Sequence, residues 1–173
     1  MTDHKNHLRD HVSAMLAVET ELREAFRRQE QENTELRRFA AAHQIVARAG
    51  DIIDRHIAAL RDCLERLGAD ESALEQAVGG VLGAAAGLYD KMRSESAVSG
   101  VLRADHAALS FATVCYEMLL TTALTMKDVQ TAHLALRHLK DYAPLTLALG
   151  TAVPQVLVGE LATDGQAAAT SSL

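Results

Sequence analysis

The sequence predicts an all-α chain, a single antiparallel bundle of four long helices with a short fifth helix between the second and third. Three observations carry that prediction. Apolar residues recur at three- and four-residue steps along most of the chain, only two prolines interrupt 173 residues, and hydrophobic residues make up 49% of it. That composition excludes a disordered chain, and the length suits one domain with a real core. Residues 1–161 are read as that domain and 162–173, which carry no apolar stripe, as a disordered tail.

The first helix is expected from about residue 4 to 29. Leu8, Val12, Met15, Glu19, Leu22 and Phe26 form its core-facing stripe, interrupted by one carboxylate. The polar stretch RQEQENT ends it, and Asn33 or Thr34 supplies an N-cap for the second helix. That helix carries Phe39, His43, Val46, Gly50, Ile53, Ile57, Leu60, Leu64 and Leu67 on one face, and Gly68 closes it as the residue after the C-cap.

Ser72 to Glu75 is a capping box, which opens the short fifth helix AVGGVLGAAAGLYDKM. Gly79, Gly83 and Gly87 share one of its faces and allow close approach by another backbone. After SESAVSG, residues from about 100 to 126 form the most apolar helix, with Glu117 the single charge in SFATVCYEMLLTTALTM; such a helix is expected at the centre. Lys127-Asp128 makes a tight turn into the last helix, 129 to about 160, with Leu134, His138, Tyr142, Leu145 and Leu149 on its stripe and a kink at Pro144. Short first and last connections make antiparallel neighbours of the helices they join, while the middle one is long enough to cross the bundle.

Charge and cysteine usage narrow the function. Seventeen basic against twenty-three acidic residues give a net charge of −6, and aromatics are 3% with no Trp, so nucleic acid is not an expected partner. The arginines from Arg23 to Arg38 interleave with glutamates at helical spacing, which reads as a solvated, self-paired surface. The polar start MTDHKNHLRDH has no signal-peptide core, and no apolar run is read as reaching the ~18 residues of a membrane span, so a cytoplasmic protein without membrane contact is expected. Cys63 and Cys115 form no C-x-x-C and read as buried thiols, with a disulfide between them left open. His4, His7 and His11 share an exposed face, and Thr2-Asp3-His4 has a square-planar donor set suited to Cu(II) or Ni(II); both read more simply as a polar helix start.

The segments VLRADHAALSFATVCYEMLLTTAL, HLALRHLKDYAPL and AVPQVLVGEL resemble the last two helices of the YciE/YciF-type branch of ferritin-like stress proteins, and DRHIAALRDCLERLG resembles the end of that family's second helix. The likeness spans roughly residues 8 to 161 in helix order and length. It implies a four-helix bundle, often dimeric, whose better-equipped members hold two metal ions through a Glu from each of two helices and Glu-x-x-His from the other two. Here the pattern departs: three residues before His43, His56, His106, His133 and His138 stand Ala40, Ile53, Arg103, Gln130 and Ala135.

Polar residues nevertheless occupy core-facing positions. As a non-standard metal site, Glu19, Asp105 and Glu117 would be the carboxylate ligands and His56 and His138 the imidazoles. As a hydrogen-bonded core, His138 would pair with Asp105 and Tyr142 with Glu117. The expected function is a stress-associated structural or interaction protein, non-enzymatic or weakly metal-binding, forming a homodimer or other homo-oligomer and without a resident cofactor. The alternative is a di-metal oxidase or iron-handling protein using iron or manganese, and a third reading is a partner-docking bundle that uses the glycine face or the tail.

Overall fold

A computed structural model of the chain describes residues 2–69 and 97–170. Four long helices dominate it: α1 (Thr2–Glu32), α2 (Ala40–Arg66), α3 (Val98–Thr125) and α4 (Val129–Thr170). No strand occurs among the described residues. The capping box at Ser72, the short fifth helix and the face of Gly79, Gly83 and Gly87 lie outside them.

The ends of these helices follow local chemistry. Asn33 caps not α2 but a 3-10 turn, Thr34–Arg38, where its Oδ1 accepts the Leu36 N–H at 3.1 Å. That turn drops Leu36 into the core, and α2 starts only after Phe39. Gly68 closes α2 as expected: at φ 83° it lets its own N–H reach the Glu65 carbonyl and the Ala69 N–H reach Leu64. Lys127 closes α3 the same way at φ 58°, and Asp128 then caps α4 by accepting the Thr131 N–H at 2.8 Å.

One expectation for α4 changes. It continues past residue 161 to Thr170, because ATDGQAAAT is alanine-rich and alanine is the best helix former. Pro144 sits inside it, and both Pro144 and Lys140, whose carbonyl loses its ladder donor, are exposed residues.

Contacts between named residues fix the directions. Glu19 meets His56 while Arg23 meets Asp54, so α1 and α2 are antiparallel. Tyr116 meets His138 while Ser99 meets Glu160, so α3 and α4 are antiparallel too. Between the hairpins, His11 meets Thr122 where Glu19 meets Tyr116, and Arg66 meets Asp128 where His56 meets Asp141, so α1 opposes α3 and α2 opposes α4. Helices α2 and α3 therefore run parallel. The chain between them starts and finishes at opposite ends of the bundle.

The four helices surround one core in which Leu16, Phe26, Ile53, Leu60, Leu102, Leu109, Leu119 and Leu145 are fully buried. The two hairpins differ outside. On α1 and α2 the outer face is charged, with ion pairs Arg23–Asp54 and Arg27–Glu24. By contrast α3, expected to be central, is a peripheral helix like the others: every strongly exposed large hydrophobic residue among the described ones lies on α3 or α4. Both helices contain stretches long and apolar enough, by length and composition alone, to cross a bilayer, contrary to the expectation of no such run. Both also turn one face into the core. The two cysteines are free, Cys63 buried and Cys115 half-buried.

Gln29 is 2% exposed, and neither atom of its amide has a hydrogen-bond partner among the described residues. An unsatisfied buried polar group costs about 1–3 kcal/mol. Gln29→Met, close in volume and without the amide, is expected to raise unfolding free energy by on the order of 1 kcal/mol. Denaturant titration of the two proteins checks this, and a less stable variant would mean that the amide has partners.

Candidate functional site

Half-way along the bundle the apolar core gives way to polar side chains from all four helices. Glu19 of α1 is completely buried on the stripe that otherwise carries Val12, Met15, Leu22 and Phe26. Its Oε1 accepts the Tyr116 hydroxyl of α3 at 2.6 Å and faces His56 Nδ1 of α2 at 3.1 Å. Its Oε2 accepts a very short hydrogen bond from the Tyr142 hydroxyl of α4. Three donors from three helices thus converge on one carboxylate.

The protons follow from the donors. The Tyr116 hydrogen goes to Glu19, so at the 2.8 Å contact between Tyr116 Oη and His138 Nδ1 the ring nitrogen must donate. His56 has a carboxylate at each nitrogen, Glu19 at Nδ1 and Asp141 Oδ2 at Nε2, 3.3 Å away. Acceptor-only partners on both sides require both nitrogens to carry hydrogen. The result is a continuous chain: His138 donates to Tyr116, Tyr116 to Glu19, and His56 to Glu19 and Asp141.

Electrostatics agree with that assignment. His56 and His138 stack with ring centroids 3.7 Å apart and planes 10° from parallel. Burial first, and then the charge of His56, push the His138 imidazole down to about 2, so it is neutral. Burial, reinforced by the Glu19 charge, raises both Tyr116 and Tyr142 well above 10, so both remain phenols.

Of the five residues expected to ligate metal, the structure brings together Glu19, His56 and His138, whose ligand atoms lie within 4.8 Å of one another. Glu117 is corrected: it is exposed on the outer side of α3. Its sequence neighbour Tyr116 takes the inward position, one residue being about 100° around the helix. Asp105 is buried, but it lies eleven residues along α3 from Tyr116, about 16 Å away at helical rise. The expected pairs His138–Asp105 and Tyr142–Glu117 are replaced by His138–Tyr116 and Tyr142–Glu19. His7 and His11 lie side by side with ring centroids 5.0 Å apart, and His11 Nδ1 meets the Thr122 hydroxyl at 3.4 Å; the side chain of His4 lies outside the described ones.

Sequence reasoning missed Tyr116 and Asp141. The signal for Tyr116 was its place on the stripe Leu109, Ala112, Tyr116, Leu119, Ala123. Asp141 stands three residues after His138, facing His56 from the solvent side.

A two-metal centre needs carboxylates that bridge the ions. Where Glu-x-x-His would place them stand Ile53, before His56, and Ala135, before His138, and on α3 the inward group at this level is Tyr116. The donor set does not fit two ions. Two imidazoles and one carboxylate are chemically suited to a single divalent ion, although here each is already hydrogen-bonded within the cluster.

The fold and the site together define a helical-bundle protein with a buried polar centre contributed by all four helices. A family model described as Domain of unknown function (DUF892), a ferritin-like family, matches residues 3–143, and the chain belongs to that family. Searches of curated proteins and of solved structures found no match.

Proposed function

We propose that the chain is a ferritin-like bundle of the YciE/YciF type whose two-metal centre is replaced by a hydrogen-bonded core, and that it serves as a stress-associated structural or interaction protein of the cytoplasm. One observation carries this reading: Glu19 has three donors from α2, α3 and α4 already on its two oxygens. A carboxylate so engaged has to give up those bonds to take a cation. The parallel course of α2 and α3, with the middle connection spanning the bundle, supports the ferritin-like arrangement.

A second reading has a specific observation behind it, the approach of the Glu19, His56 and His138 ligand atoms to within 4.8 Å. It is a single divalent ion on two imidazoles and a carboxylate. Elemental analysis with thermal melting separates the two. The core reading expects well under one equivalent of iron or manganese and a melting temperature indifferent to chelator, because a ligand specific to the native state would raise stability. About one equivalent, lost along with stability in Glu19→Ala and His138→Ala, would establish the single-ion site. Two equivalents would overturn both in favour of a di-metal oxidase or iron-handling protein.

A further inference from the structure

We propose that the groove between α3 and α4 is a binding site for a small primary amine carried on an apolar body. The groove is open to solvent, holds about 670 Å³ and is lined by His106, Ser110 and Thr113 of α3 and by Thr146, Leu147 and Gly150 of α4, among others. That volume is in the usual range for small-ligand sites. His106 lies over the bare backbone of α4 at Gly150, where a Cβ would stand 3.5 Å from the imidazole Nε2.

What the groove offers a ligand is fixed by where its hydrogens point. Ser110, Thr113, Thr146 and Thr151 each donate the hydroxyl hydrogen to the carbonyl four residues earlier, at 2.8 to 3.1 Å. A hydroxyl whose hydrogen is committed keeps only lone pairs to present. Gly150 adds an acceptor of another kind: Pro154, four residues on, has no N–H, so the Gly150 carbonyl loses its ladder donor. The His106 imidazole is the one side chain of the lining with an N–H to offer. Oxygen acceptors therefore dominate the polar part of the surface. The threonine methyls, Ala143 and Leu147 make the rest of it apolar.

Ligand classes sort by their donors. An ammonium head brings three N–H donors and no acceptor, whereas an alcohol brings one donor together with lone pairs that meet those of the groove, and a carboxylate brings acceptors only. A hard divalent cation calls for carboxylates, and the lining has none. The net charge of −6 favours the approach of a cation over that of an anion. An apolar body behind the ammonium removes the Leu147 side chain and the threonine methyls from water. None of the lining residues belongs to the Glu19, His56 and His138 cluster, so this site stands or falls apart from the reading of that centre.

Titration calorimetry of the full chain with n-octylammonium, n-octanol and n-octanoate, one tail under three heads, is the test, and the threonine methyl signals in NMR locate the ligand. The expected order of affinity is ammonium first and alcohol second, with no measurable binding of the carboxylate. Thr113→Val and Thr146→Val keep the shape and remove one acceptor each, and each is expected to weaken n-octylammonium by about fivefold. Pro154→Ala takes nothing from the lining but returns an N–H to the Gly150 carbonyl, so it is expected to weaken the ammonium several-fold while the melting temperature holds or rises. Equal binding of all three heads, which would follow the tail alone, overturns the proposal. A preference for n-octanoate overturns it too, by making His106 an anion receptor, as does a failure of n-octylammonium to bind or an affinity unchanged in all three variants.

Discussion

Glu19→Ala is expected to lower the unfolding free energy by about 3–5 kcal/mol, the cost of breaking a buried charged pair by removing one member. The loss has identifiable parts. Tyr116 and Tyr142 keep buried hydroxyls with no acceptor, and the His56 imidazolium retains only Asp141 at the solvent side. Glu19→Gln keeps the volume and one acceptor oxygen, so it should cost less, on the order of 1–3 kcal/mol. Chemical denaturation gives both numbers. An alanine variant as stable as the wild type would show that Glu19 is not the acceptor at the centre of the network.

His138 sets the second large effect, through pH. Folded, its imidazole is held down to about 2 against an ordinary 6.5, by burial and by the His56 charge. The unfolded chain takes up this proton below 6.5 and the folded chain does not until about 2, so the stability it contributes is present above 6.5 and is lost as pH falls toward 2. Between pH 8 and pH 5 that amounts to on the order of 2 kcal/mol from this one group. His138→Gln keeps a donor for Tyr116 and cannot titrate. Unfolding free energy measured from pH 8 to 5 should therefore fall more steeply for the wild type than for the variant. Parallel curves would mean that His138 is protonated in the fold.

Much of this architecture was legible in the sequence, because helical periodicity is a local signal. The stripes through Leu8 to Phe26 and Val46 to Leu64, the turn at Lys127-Asp128 and the left-handed Gly68 were all read from neighbours in the chain. Glu19 and His138 could be found for the same reason, each being the polar exception on an apolar stripe, whereas the stripe read for the second helix ran through His43 and Ile57, and it is His56 beside them that is buried. Tyr116 was hidden because a phenol passes for an ordinary core aromatic, and because Glu117 beside it carried the only charge in its segment. The exposed apolar side of α3 and α4 was misread as centrality. Hydropathy reports that a helix avoids water but not whether its own chain or another surface covers it.

The centre also controls alignment. Leucine and alanine interfaces between helices tolerate small slides, since one apolar contact substitutes for another. A slip of α1 by one turn would carry Glu19 about 5.4 Å from the donors it needs on α2, α3 and α4 and strand a carboxylate and an imidazolium in a dry core, at several kcal/mol. The two tyrosines come from one hairpin and the Glu19–His56 pair from the other, so docking succeeds in a single register. One buried hydrogen-bonded cluster thereby acts as the key that tells two greasy hairpins how far to slide.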